Sequence, residues 1–333
     1  ASAPCPRPLV VLTAPGPGSG KLATCLSQLY HENKRGVQAG YAKFETFPVW
    51  NLPLTHPVNI AYEAATADLD DANIIDSFHL EAYNKTTVNY NRDVEAFPVV
   101  RALMEKILGE SPYQSPTDMG VNMAGYCIVD DEACREASEK EIIRRYLKAQ
   151  CDLKSGVCKK DTVERLEFLM SRLGITQSER KVIECAREKS RQNDDCGAVA
   201  LELQDGRIVT GKNTQRMSAS AACVFNAVKM LAGIKDSQKL ISPYVIGPII
   251  DMKTKILKEH DKTLTLEEAL LALSICAASD ATAATAMEQL TQLDGCDAHS
   301  THMLFKADEN PFRKLGVRLS SDPEFLGDTL FNE

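Results

Sequence analysis

The stretch Leu9-Val10-Val11-Leu12-Thr13-Ala14-Pro15-Gly16-Pro17-Gly18-Ser19-Gly20-Lys21 passes from an apolar run into glycines and a lysine, just ahead of a segment with helical spacing. It reads as strand, loop and helix. Such a loop leaves backbone N–H groups free, and the following helix adds the positive end of its dipole, so the turn suits a phosphate with Lys21 as counter-charge. Against the pattern G-x-x-x-x-G-K-[ST], Pro15 stands where the first glycine belongs and Leu22 where the Mg²⁺-holding hydroxyl belongs. Leucine offers a hard cation no oxygen. The turn therefore predicts an anion site, with phosphate or nucleotide as the bound group, and leaves the reaction open. A Gly/Pro turn chosen for its backbone freedom alone is the competing reading.

Working outward, Leu22, Cys25, Leu26 and Leu29 fall on one face of a helix from Lys21 to about Tyr30. Residues 43–51 alternate aromatic and polar groups around Trp50, a pattern that suits a pocket wall or an amphipathic edge strand. Thr66, Asp68, Asp70, Asp71, Asp76 and His79 follow; their carboxylates offer the oxygen ligands that Leu22 lacks, or form an acidic solvated loop. Asn89-Tyr90-Asn91-Arg92-Asp93 precedes an apolar helical run from Val94 to Leu108, with Asp93 placed to cap it. Arg92 presents a planar fork for phosphate or carboxylate, or a local salt bridge. Ser115 to Asn122 is a polar turn fixed by Pro116 and Gly120, presenting Asp118 and Asn122.

Three strings, VVLTAPGPGSGKLATCLSQLYHE (10–32), KFETFPVWNLPLTHPVNIAYEAAT (43–66) and NYNRDVEAFPV (89–99), with SPTDMGVN (115–122), carry a resemblance. In that order they resemble the mostly prokaryotic family catalogued as domain of unknown function 1846, and the resemblance covers nearly the whole chain. It implies a fold and no mechanism. It also implies a substantial N-terminal region ahead of the glycine loop, which lies outside this sequence or is supplied by another polypeptide. Lys21, Arg92, Asp118 and Asn122 carry over position by position as ligand-binding candidates, beside Gly16, Gly18, Ser19 and Gly20.

From Asp130 to about Gln192 charged and apolar residues recur at helical spacing, which predicts a helical middle domain. Gly174 reads as a helix stop and Thr176-Gln177-Ser178-Glu179 as a capping box opening another helix. Beyond Asp194, Gln204-Asp205-Gly206 between two apolar runs is a hairpin signal, followed by an alanine-rich buried helix from Ala219 to Ala232. GAVALELQDGRIVTGKNTQRMSASAACVFNAV (197–228) resembles the opening of the cytidine-deaminase-like fold. The zinc motif of that fold has no counterpart at Ser220, Ala221 and Ala222. The fold class expected is thus α/β: a P-loop-like domain over 1–127, a helical domain over 128–192, and a three-layer α/β domain of deaminase-like type over 193–333.

Composition bounds the function. The chain has 333 residues, 44% hydrophobic and 25% charged, and a net charge of -8. Those are values of a globular protein of two or three domains. An acidic balance without a Lys/Arg block argues against nucleic acid, and no apolar stretch is long enough to cross a membrane. The eleven cysteines show no disulfide framework, which places the chain in the cytoplasm with reduced thiols. Cys296, His299 and His302 lie within seven residues, but no fourth ligand stands nearby, so a polar loop is favoured over zinc. The partner expected is a small phosphorylated ligand, with either a homo-oligomer or a second chain completing the molecule. Two functions follow: an enzyme acting on a nucleotide or other phosphorylated molecule, or a catalytically silent component of a larger assembly.

Overall fold

The computed structural model describes residues 7–14, 18–43, 48–69, 71–120 and 122–326. Two compact units divide the chain between Ser138 and Glu139.

In the first unit, helices α1 (Lys21–Lys34), α2 (Pro57–Ala65), α3 (Ser77–Tyr83) and α4 (Asn91–Leu108) accompany a ribbon of β1 (Asn73–Ile75) and β2 (Val88–Tyr90). The ribbon is antiparallel, pairing Asn73 with Tyr90 and Ile75 with Val88. The face read after the glycines is buried in part: Leu26 and Leu29 of α1 are buried with Phe97, Val100 and Met104 of α4 and with Met119, while Leu22 is 39% exposed. The side chain of Asn33 donates to the carbonyl of Ile107, joining the last turns of the two helices. Asp76 caps α3 through the amide of His79, and His56 caps α2 through that of Val58.

The strand expected over Leu9–Leu12 is absent. Among the described residues, 9–14 belong to no strand, and Leu9, Val10, Val11 and Leu12 are 41 to 77% exposed. An apolar run becomes a strand only where a sheet edge accepts it, and neither sheet here pairs with it. Among the described residues no strand precedes the loop that leads into α1. Asp93 also departs from expectation: α4 starts at Asn91 with Tyr90 at its cap position, and Asp93 lies in the first turn, ion-paired to Lys43.

The second unit begins within α5 (Asp131–Lys154) and continues through α6 (Lys160–Leu173) and α7 (Lys181–Arg191). Gly174 ends α6 in the left-handed conformation. The Thr176–Glu179 capping box closes a single 3-10 turn before α7 rather than starting that helix directly. A four-stranded sheet follows, ordered β4 (Ile208–Lys212), β3 (Ala198–Glu202), β5 (Asp297–Ser300), β6 (Arg318–Ser321). The hairpin expected around Gln204–Gly206 is β3 and β4, with Leu201 opposite Val209; β5 is antiparallel to β3, and β6 parallel to β5. Alternation along the strands builds two apolar faces. Val199, Leu201 and Val209 meet α8 (Ala219–Ala232) and α10 (Leu266–Ala277), while Ala200 meets Val182 and Ala186 of α7. Three layers result. Helix α8 lies so close on β4 that a Cβ at Gly211 would stand 2.2 Å from the amide nitrogen of Cys223. Helices α9 (Pro243–Asp251), α11 (Ala281–Glu288) and α12 (Lys306–Lys314) complete the unit. No helix among the described residues is long and apolar enough to cross a membrane.

Candidate functional site

The glycine turn is built as a helix start. Gly18 and Gly20 take positive φ of 71° and 84°, a region that L side chains avoid, and Gly20 stands at the cap position of α1. No side chain caps this helix and its first turn holds no acid. Lys21 Nζ donates to Ser19 Oγ at 3.2 Å, and Thr24 Oγ1 turns back to the carbonyl of Gly20 at 3.1 Å. Gly16 lies outside the described residues.

The other predicted residues do not converge on that turn through their side chains. Arg92 is ion-paired with Asp71 and reaches the carbonyl of Leu69, so both its fork and one of the acids considered for a metal are engaged with each other. Asp76 is taken as well, accepting from the Thr117 amide at 3.1 Å and from Thr117 Oγ1 at 2.6 Å. Asn122 Oδ1 accepts from the Ala124 amide at 2.7 Å, capping the turn that carries Tyr126. Lys43 links the parts: its amide donates to the carbonyl of Met119 at 2.6 Å while its ammonium holds Asp93 at 2.7 Å. The Cβ that Gly120 lacks would press on the Lys43 carbonyl at 2.7 Å, so only glycine admits this approach.

Asp118 belongs to a different constellation, centred on His79. Its Oδ2 accepts from Tyr83 Oη at 2.9 Å and from the amides of Gln114 and Ser115 at 2.8 and 3.2 Å. Its Oδ1 stands 3.7 Å from His79 Nδ1, which bonds to the buried Ser115 Oγ at 2.9 Å. The bond from Asp118 raises the Tyr83 phenol above its ordinary pKa. Around the imidazole are aromatic rings: Tyr83 at 4.7 Å and Trp50 at 6.3 Å, with Tyr126 edge-on to Trp50 at 5.9 Å. Beneath lies a buried polar set in which Thr117 joins Asp76, Thr87 and Asn89. Each of Trp50, His79, Ser115 and Asp118 stands in a stretch that the sequence marks as polar or aromatic. Nothing in their spacing shows that residues 50, 79 and 118 meet.

In the second unit Cys296, His299 and His302 point to separate partners. Cys296 Sγ donates to the carbonyl of Gln292, His299 Nδ1 meets Ser320 Oγ at 3.0 Å, and His302 Nδ1 lies 3.5 Å from Ser300 Oγ. Among the described residues no three His, Cys, Asp or Glu side chains group as metal ligands would. The buried ionic groups here hold layers together. Arg180, 1% exposed, donates to the carbonyls of Lys140, Ala298 and Arg318 and faces Asp297 at 3.2 Å. Arg187 grips Asp322 through two bonds of 3.0 and 2.6 Å, and these with His299 hold the Asp322 carboxyl well below the usual range.

Fold and site together define a two-unit α/β protein whose first unit carries an open glycine-rich helix start and a histidine niche with aromatic walls. The chain belongs to the DUF1846 family. The family's N-terminal domain, a domain of unknown function, matches residues 3–174, and its C-terminal domain matches residues 178–331. UPF0371 proteins of Clostridium botulinum (strain Alaska E43 / Type E3) and Clostridium tetani (strain Massachusetts / E88) are each 55% identical to it over 98% of this chain. The chain spans 66% of the length of these relatives.

Proposed function

We propose that the chain binds a phosphorylated small molecule, a nucleotide or a sugar phosphate, at the turn from Gly18 to Lys21, and acts on it as an enzyme. One observation carries the reading: α1 begins with two left-handed glycines, no side-chain cap and no first-turn acid, beside a lysine. That is the helix end at which a phosphate gains most from amides and dipole. A ligand that competes with Asp71 for the Arg92 fork would gain a bidentate partner. The test is thermal denaturation with inorganic phosphate and with ATP, on the wild type, Lys21→Ala and Arg92→Ala. Stabilisation of about 2.7 kcal/mol is expected at a hundredfold excess over Kd. It is expected to vanish in Lys21→Ala; persistence in that variant removes the assignment.

A second reading, a component of a larger assembly, draws on Leu9–Leu12. Four consecutive exposed apolar residues outside any strand suit addition to the open edge of another sheet. Light scattering on the wild type and on Val11→Lys distinguishes the two: loss of an oligomer in the variant favours assembly, and a monomer in both removes it. The deaminase-like likeness of residues 197–228 enters as architecture, supported by the order β4-β3-β5-β6, and brings no activity with it.

A further inference from the structure

We infer that Trp50, His79, Tyr83, Asp118 and Tyr126 form a second ligand site, separate from the glycine turn, for an uncharged, hydroxyl-rich ring of the monosaccharide class.

The geometry of His79 comes first. The Asp118 carboxylate, whose Oδ1 stands 3.7 Å from Nδ1, favours the imidazole proton on Nδ1. The lone pair then lies on Nε2. This nitrogen has no hydrogen-bond partner among the described residues and does not count among the sealed, unsatisfied polar atoms, so it is the open edge of a ring that is otherwise buried. Asp118 fixes the ring and is itself fixed by three donors on its other oxygen. An imidazole oriented in this way is arranged to receive a proton donor.

The walls set the ligand's shape. Trp50 and Tyr126 meet at 73°, making a corner of two aromatic surfaces, and Tyr126 is 66% exposed. Tyr83 closes on His79 from its own ring distance of 4.7 Å. Such a corner takes the apolar C–H face of a flat or chair-shaped ring.

Charge excludes the alternatives. None of the described residues that form the niche is cationic; the nearby Lys43 is committed to Asp93. Asp118 Oδ1 and, in this tautomer, His79 Nε2 are acceptors. A phosphate or carboxylate would meet the Asp118 carboxylate with no cation among these residues to offset it, whereas a ring bearing hydroxyl donors satisfies the acceptors. Gly125 belongs to this construction, because a Cβ there would stand 2.3 Å from Asn51 Oδ1.

The experiment uses an internal probe. Trp50 is the chain's only tryptophan, so its fluorescence reports on the niche directly. The full chain is titrated with glucose, glucosamine and N-acetylglucosamine at millimolar concentration, with inorganic phosphate as control, and calorimetry is run in parallel. A saturable change is expected with at least one of the sugars and none with phosphate. Tyr126→Ala and His79→Gln are each expected to weaken it by at least about tenfold, while Lys21→Ala leaves it unchanged and removes phosphate binding at the glycine turn. No saturable response from the folded protein to any of the three sugars overturns the proposal. So does a response that survives both niche variants intact.

Discussion

The two units use buried polar groups for opposite ends. In the second unit, Arg180 and Arg187 lie between helices and the sheet and terminate on carbonyls and carboxylates: they fasten layers. In the first unit, the buried set around Asp76, Thr117 and His79 joins short loops to a three-residue ribbon, and its last member, His79, keeps one nitrogen open. A sheet with two apolar faces supplies its own order and needs ions only as pins. A ribbon of two short strands does not, so hydrogen bonds must position its loops.

The largest expected effect follows from that contrast. Arg180→Ala removes the partner of Asp297 and three carbonyls at once. Removing one member of a buried pair costs about 3 to 5 kcal/mol, against at most about 1 kcal/mol for Arg92→Ala, whose ion pair is more than half exposed on the arginine side. Urea denaturation of both variants measures the difference. Equal losses would break the contrast between fastening and positioning ions.

Acid sharpens it next. Burial pushes the His302 imidazole down to about 4, so the folded unit keeps it neutral while an unfolded chain protonates it near 6.5. The unfolded state then binds more protons below pH 6.5, and stability falls as pH drops from there towards 4. The span of the shift corresponds to about 3 kcal/mol. His302→Gln is expected to flatten that limb of a Tm-versus-pH curve. Asp322, held low by Arg187 and His299, adds a loss further into acid, whereas Asp308, raised by burial, works in the opposite sense.

In the first unit Asp76→Ala is expected to cost about 2 kcal/mol, since the buried Thr117 amide and hydroxyl lose their acceptor and α3 loses its cap. Urea denaturation is again the measurement. If the loop from Ser115 to Asn122 is positioned by these bonds, Trp50 fluorescence shifts in the variant even where the fold survives.

Much of this architecture was legible where a signal is local. Gly174 and the Gln204–Gly206 turn each act within four residues, and each stands as read. Leu9–Leu12 was misread because apolar runs carry no record of whether a sheet has room for them. The niche was hidden for another reason. His79 and Ser115 are 36 positions apart and touch only because Asp76 ties Thr117 to the start of α3. For Arg92 the sequence left a ligand fork and a local salt bridge open, and only the fold shows that Asp71 is the local acid.

Lys21→Ala is the smallest change expected in stability and the most telling in binding. Lys21 opens α1 beside an exposed turn and bonds to Ser19 across two residues, and the fold is expected to lose less than about 0.5 kcal/mol. An unliganded melting curve checks this. A larger loss would mean that the ammonium holds the turn together, as Arg180 holds its layers, and the first unit would then resemble the second. A near-zero loss with abolished phosphate response would mean that the charge is kept for a guest, which is what separates a positioned site from a fastened core.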